Sequence, residues 1–186
     1  MKLALVSVVM LATLLVAATG IATRAAGPSA ETLKRGQHLV TAMGCNDCHT
    51  PFKMGPQGPE PDMSLALSGH PANLTLGPPP KLGGGWMWAG SATNTAFYGP
   101  WGTSYAANLT SDDFGLGKWT EEMFVSAMKT GRHAGVGRHI LPPMPWMWFR
   151  NLSDDDLKCM FAYLRTVKPV HNIVPPPVGP PPPPAK

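Results

Sequence analysis

Residues 45–49, Cys45-Asn46-Asp47-Cys48-His49, decide how the rest of the chain is interpreted. Two thiols three positions apart, with a histidine directly after the second, are typical of covalent attachment of a c-type haem. The thiols can add to the two vinyl groups of the porphyrin, and the imidazole can ligate the iron. We therefore predict one haem c, bound covalently through Cys45 and Cys48, with His49 as an axial metal ligand.

Other cysteine chemistries fit this segment less well. A zinc site would need a second pair of ligands at matching spacing, and a thioredoxin-like motif would need a βαβ context. The sequence contains neither feature. The third cysteine, Cys159, is left single, which excludes a disulfide framework, and we expect it to pack as a small apolar side chain.

The N-terminal segment indicates export. Residues 3–23 carry no charge, lie between Lys2 and Arg24, and end in small residues. This pattern predicts that 1–26 is a secretory signal peptide or, because it is also long enough to cross a bilayer, an uncleaved N-terminal membrane anchor. We expect an exported, periplasmic protein that is either soluble or tethered to the inner membrane.

The composition points to one domain rich in irregular structure. Of 186 residues, 20 are glycine and 22 are proline. The net charge falls from +4 to +2 when Lys2 and Arg24 are removed with residues 1–26. Because no basic cluster is present, we expect no nucleic-acid partner. The predicted domain spans 27–172, and a proline-rich tail outside the core spans 173–186.

Three helices are predicted by apolar spacing and by capping residues. The first covers 31–43 and leads directly into Cys45. The second begins after Thr120, a good N-cap, and ends at Gly131. The third begins at Ser153 and ends before Pro169. Between the first two lies 51–105, whose prolines and glycines predict a long loop layer, with aromatic rings that cover an apolar object or else pack on one another.

Met144 is the predicted sixth ligand of the iron. It lies in residues 141–146, LPPMPW, where prolines make a stiff and apolar loop that can present a thioether. Met147 is the second candidate, and core packing of Met144 is the structural alternative. Arg132 and Arg138 are candidate partners of the haem propionates, since a guanidinium group matches a carboxylate, or else exposed loop cations.

These features together resemble class I cytochromes c. Residues 141–146 followed by 152–157 (LSDDDL) and 162–165 (AYLR), together with 105–110 (YAANLT) and 115–119 (GLGKW), are similar to exported bacterial monohaem cytochromes c related to dehydrogenase cytochrome subunits. The resemblance covers about 31–172. It implies an all-α, cytochrome c-like domain wrapped around one haem, with a long irregular insertion, in which Gly36 and Tyr163 meet where the first and last helices cross.

An iron with both axial positions filled favours electron transport over catalysis. We therefore expect a non-enzymatic electron carrier whose partners are a dehydrogenase, an oxidase or a reductase. A cytochrome subunit docked on a membrane-associated dehydrogenase is a close variant of this function. A haem sensor or enzyme with an open sixth site, and a haem-free metal or thiol protein, are the alternatives from other classes.

Overall fold

Helices and two small antiparallel sheets alternate along the chain in the computed structural model, which describes residues 27–180. The predicted signal peptide or anchor at 1–26 and the last six residues of the tail lie outside the described residues. None of the helices within 27–180 has the length and apolar character needed to cross a membrane. The elements are α1 (Ala30–Ala42), α2 (Cys45–His49), β1 (Phe52–Gly55), β2 (Gly58–Pro61), β3 (Ala89–Gly90), β4 (Ala96–Gly99), β5 (Gly102–Tyr105), α3 (Glu121–Thr130), α4 (Trp146–Phe149) and α5 (Asp154–Leu164).

The three predicted helices are confirmed as α1, α3 and α5. Each begins after a hydroxyl residue whose side chain accepts a hydrogen bond from a backbone N–H of the first turn. The distances are 3.1 Å at Ser29, 3.2 Å at Thr120 and 3.0 Å at Ser153. Helix α3 ends at Gly131, which adopts the left-handed conformation. These boundaries were predictable because capping is a local interaction.

The prediction of an all-α fold is wrong. Strands β1 and β2 form one hairpin, and β3, β4 and β5 form a three-stranded antiparallel sheet in that order. All five strands lie in the segment 51–105, for which the prolines and glycines predict irregular structure. Each strand is only two to four residues long and begins or ends at a glycine, and Pro59 and Pro61 are tolerated because β2 belongs to a two-stranded hairpin.

The core lies where α1 packs along α5 and α3 packs against both α4 and α5. Gly36 of α1 faces the backbone of Cys159 on α5, and a Cβ atom at this position would lie within 2.8 Å of Tyr163 Cβ. This contact confirms the expected crossing of the first and last helices at Gly36 and Tyr163. The buried cluster comprises Leu39, Val40, Leu67, Leu116, Phe124, Ala127, Met128, Phe149, Leu157, Met160, Phe161 and Leu164.

The aromatic residues between 86 and 105 do not all cover the core. Phe97 is buried in β4, whereas Trp86 and Trp88 are exposed in the loop before the three-stranded sheet. Trp88 packs edge-on against Phe97, with ring centroids 5.8 Å apart. The expectation that these rings form an ordered covering layer therefore holds for Phe97 and not for Trp86.

After α5 the chain folds back over the loops between the sheets and α3. We call residues 165–180 the C-terminal strap. The Asn172 side chain bonds three backbone groups: its amide donates to the carbonyls of Ser68 and His70 at 2.7 and 2.9 Å, and its oxygen accepts from Ala72 N–H. Farther along, Val178 pairs with Thr103 of β5 through two backbone hydrogen bonds of 2.8 and 2.9 Å. The strap thus extends the three-stranded sheet by one bridge.

Replacing Gly36 by alanine is expected to destabilise the holoprotein by about 1–3 kcal/mol, the usual range for overpacking, because the new methyl group would meet the Cys159 carbonyl. The decrease can be measured from the urea unfolding midpoint. Gly77→Ala is the matched control, since nothing lies within 4 Å of a Cβ at that position. Equal midpoints for the two variants would show that the helices do not depend on close contact at Gly36.

Candidate functional site

The predicted haem-attachment residues lie on one helical turn. Helix α2 contains only residues 45–49, so Cys45 and Cys48, three positions apart, lie on the same face of the turn. Both thiols are free and partly buried, and Cys45 packs against the core cluster. The turn is held by Thr50, which is fully buried and bonds the Asn46 side chain at 2.9 Å. This arrangement presents two thiols side by side at the edge of the core.

The imidazole of His49 is oriented by a backbone carbonyl. Its Nδ1 lies 2.7 Å from the oxygen of Ala107. Because a carbonyl can only accept, Nδ1 carries the hydrogen and Nε2 keeps its lone pair. No hydrogen bond to Nε2 occurs within the part of the chain that the structure describes. Holding one ring nitrogen and leaving the other as a ligand is what metal-binding histidines require.

The pairing of two loops, 67–70 and 106–109, places the Ala107 carbonyl next to the His49 ring. Gly69 N–H donates to the His49 carbonyl at 2.8 Å, His70 N–H donates to Ala106 at 2.9 Å, and Leu109 N–H donates to Leu67 at 2.8 Å. Gly69 has a φ of 79°, and a Cβ there would lie 2.6 Å from the Ala107 carbonyl carbon. Glycine is therefore required for the loops to approach each other.

The sequence predicts that His49 bonds a backbone carbonyl in the loop after Pro51, but it does not identify the residue. Ala107 lies two residues beyond the predicted loop layer. A backbone acceptor leaves no side-chain signal in the sequence. Asn94 was also not identified from the sequence. Its side chain donates to the Asp47 carbonyl at 2.7 Å and stabilises α2.

Burial sets the protonation of the three attachment residues. It raises the pKa of Cys45 to about 12, and it raises the pKa of Cys48, with a further contribution from the negative charge of Asp47. Burial also lowers the pKa of His49, against the smaller opposing effect of the Ala107 carbonyl. The site therefore holds two neutral thiols and a neutral imidazole, a donor set that suits thioether formation and iron ligation. The residues fit a c-type haem.

Met144 packs against the same core cluster as Cys45, from the loop that precedes α4. Met147, the second candidate, is on α4 and is 52% exposed. This difference favours Met144 as the residue available to an apolar site, although its ligation of iron stays a prediction. The buried methionines Met128 and Met160 belong to the core cluster.

Arg132 and Arg138 lie in an exposed turn between α3 and the Met144 loop. Their guanidinium groups donate to the Gly137 and His139 carbonyls at 3.1 and 3.0 Å. Neither contact tests the expected role toward haem propionates, which stays a prediction. Arg150, at the end of α4, is also exposed and lies 5.9 Å from the centroid of the Trp146 ring.

Similarity to known proteins agrees with this donor set. The chain is 32% identical over 148 residues to a subunit of the nicotinate dehydrogenase of Pseudomonas putida. It is 30% identical over 140 and 141 residues to the cytochrome c subunit of a quinone alcohol dehydrogenase of Gluconobacter oxydans and to a fructose dehydrogenase cytochrome subunit of Gluconobacter japonicus. The chain is similar to dehydrogenase cytochrome subunits.

These similarities cover 74–79% of this chain but only 10–22% of each relative, so the chain spans a small part of the proteins it matches. No protein-family model matches the sequence. The relatives support a cytochrome c-related chain with an electron-transfer role, and cytochrome c subunits imply haem c.

His70 is a fully buried histidine next to the loops that orient His49. Its Nε2–H donates to the Leu74 carbonyl at 3.4 Å, and its Nδ1 lies 2.9 Å from the Thr95 hydroxyl. Its ring packs on Tyr105 with centroids 4.8 Å apart. Burial lowers the pKa of His70 below its ordinary value of 6.5, so this imidazole is held in the neutral form.

Replacing His70 by glutamine is expected to reduce the loss of stability of the holoprotein at acid pH. Because the folded-state pKa is lowered, the unfolded chain binds a proton at higher pH than the folded chain does. The contribution of His70 to the free energy of unfolding is therefore complete above pH 6.5 and is lost as the pH falls below that value. Urea unfolding at pH about 7.5 and about 5.5 measures the difference. An equal decrease in both proteins would contradict the role of His70.

Proposed function

We propose that this chain carries single electrons as a cytochrome with one haem c, bound covalently by Cys45 and Cys48 and ligated by His49 and Met144. The observation that supports this most directly is the 2.7 Å contact between His49 Nδ1 and the Ala107 carbonyl, beside two thiols on one turn. A disulfide role for these cysteines would give no reason for an oriented imidazole at position 49. A zinc site would need further ligands, and no group of three or more histidine, cysteine or acidic side chains that could hold a metal ion occurs among residues 27–180.

Haem c supplies a one-electron couple when it is bound, and the protein contributes ligands and environment. A thioether from Met144 would favour the ferrous state relative to a second imidazole. The carbonyl of Ala107 fixes the ring orientation of His49 and increases its basicity. If His49 and Met144 both hold the iron, no position would be open to a substrate, and the chain would act as a carrier rather than as a catalytic subunit.

The relatives suggest a dehydrogenase as the electron donor, and we propose that this chain is exported and receives electrons in the periplasm. Residues 131–150 contain three arginines and no acidic residue. None of the three forms an ion pair with a carboxylate among residues 27–180. The indole of Trp146 lies against Gly131. This contact brings the turn that carries Arg132 and Arg138 close to the helix α4, at the end of which Arg150 lies near the same indole.

Exposed arginines therefore lie before and after the Met144 loop and give this part of the surface a positive charge, and Trp148 beside them is 68% exposed. Redox partners form small, transient contacts steered by complementary charge. We infer that the partner presents an acidic surface to this part of the molecule. An anionic membrane surface is the other class of partner that such a surface could attract, and it would bind independently of electron transfer.

Replacing Met144 by alanine should open the sixth position of the iron. The ferrous holoprotein is then expected to become high-spin and to bind carbon monoxide rapidly, which visible spectra with and without the gas measure. Met147→Ala is the matched control and should leave the spectra of the wild-type protein unchanged. If Met147→Ala opens the site instead, Met144 is not the ligand. If the wild-type protein itself binds carbon monoxide rapidly, the chain is a sensor or an enzyme rather than a carrier.

Arg150→Glu should slow the oxidation of the ferrous holoprotein by the anion hexacyanoferrate(III) about two- to fourfold at low ionic strength, because the charge near the Met144 loop is reversed. The cation hexaammineruthenium(III) should show the opposite change. Lys34→Glu, an exposed site on α1, makes the same change in net charge and is the control. Equal effects of the two variants in stopped-flow measurements would mean that electrons do not leave near Arg150.

A further inference from the structure

The loop that carries Met144 cannot be held in place by its own backbone. Pro142, Pro143 and Pro145 have no N–H group, so the loop lacks most of the donors that tie a loop to its surroundings. Among the described residues, a single hydrogen bond joins the segment 141–144 to the rest of the molecule. It runs from the hydroxyl of Ser104 to the carbonyl oxygen of Pro142 and measures 2.6 Å.

Ser104 is itself fixed on both sides. It belongs to β5, is only 8% exposed, and lies opposite Phe97 in the register with β4. The preceding residue, Thr103, pairs on the other edge with Val178 of the C-terminal strap through two backbone hydrogen bonds. The backbone position of Ser104 is therefore determined by the sheet and the strap together.

The indole of Trp101 directs the hydroxyl proton. Its Nε1–H donates to Ser104 Oγ at 3.2 Å, so the hydroxyl accepts from Trp101 and has one proton to donate. The Phe97 carbonyl is a competing acceptor at 3.4 Å, but the Pro142 carbonyl is nearer by 0.8 Å. A buried hydroxyl that both accepts and donates in this way is a rigid attachment point.

We propose that Ser104 is a positioning residue for Met144: its hydroxyl holds the Pro142 carbonyl and thereby keeps the thioether in place as an iron ligand. This inference rests on the proposed ligation by Met144. Met144 is two positions after Pro142, a span of at most about 7 Å. A fixed carbonyl at Pro142 therefore restricts where the methionine backbone can move. The role of the three-stranded sheet in this proposal is to hold Ser104 in place.

Displacement of the methionine by an added ligand measures this effect. Imidazole competes with the thioether for the ferric iron, and the absorption band that arises from thioether ligation reports the same equilibrium independently. Ser104→Ala is expected to tighten the apparent binding of imidazole about fivefold, which corresponds to about 1 kcal/mol, the usual contribution of one hydrogen bond. Ser104→Thr keeps the hydroxyl and should restore binding close to that of the wild-type protein.

Ser111→Ala is the matched control. Its hydroxyl donates to the Val167 carbonyl at 2.8 Å, so the substitution removes the same kind of hydrogen bond from a site in contact with the strap and not with the Met144 loop. It should lower the unfolding midpoint and leave imidazole binding unchanged. If Ser104→Ala and Ser111→Ala have equal effects on imidazole binding, or if Ser104→Thr behaves like Ser104→Ala, the inference is wrong.

Three further outcomes remain decisive. If Ser104→Ala gives too little holoprotein, Trp101→Phe removes the indole N–H and should tighten imidazole binding about twofold, while no change would refute the inference. If the wild-type holoprotein lacks the thioether band and Met144→Ala leaves its spectrum unaltered, the ligation by Met144 fails and the inference fails with it. A normal Met144→Ala result with an unaltered Ser104→Ala protein refutes only the inference.

Discussion

The hydrogen bond between His49 Nδ1–H and the Ala107 carbonyl is the interaction on which the site depends. It joins the turn of α2 to a loop 58 residues later in the chain, so it forms only when the intervening segment is folded. That segment is organised by the approach of Gly69 to Ala106 and Ala107, where a side chain would collide with the backbone. The orientation of one imidazole thus requires the loops on both sides of it to be correctly paired.

Polar side chains hold these loops together in addition to the packing of Leu67 and Leu109 on the core. Asn108 is buried and donates to the Val170 carbonyl at 2.9 Å, while its oxygen accepts from the backbone and the hydroxyl of Thr110. Asn172 of the strap donates to the carbonyls of Ser68 and His70 in the other loop. Buried amides contribute to stability only when their groups are satisfied, and in the described part of the chain no buried side-chain nitrogen or oxygen is left without a partner.

The helices could be predicted from the sequence because their signals are local. Ser153 and Thr120 cap helices within three residues of themselves, and the apolar spacing of α1 and α5 follows one face. Gly36 was expected at the helix crossing from the resemblance to class I cytochromes c. The strands could not be predicted, since β3 has two residues and β2 includes two prolines. Nor could Ala107 or the bond from Ser104 to Pro142, because these contacts join distant positions and their acceptors are backbone carbonyls.

The incorrect all-α prediction therefore points to a division of roles within the molecule. The helices α1, α3 and α5 form the core, whereas the small sheets and the strap hold loops that have few ways to hold themselves. A stiff, proline-rich loop around Met144 gains rigidity from its fixed φ angles but loses backbone donors, so it needs a donor from elsewhere. The side chain of Ser104 on β5 provides that donor. The strand itself is held in place because both of its edges are paired, one with β4 and the other with Val178. The insertion that made the sequence look irregular is in this sense the part that fixes the loop carrying Met144.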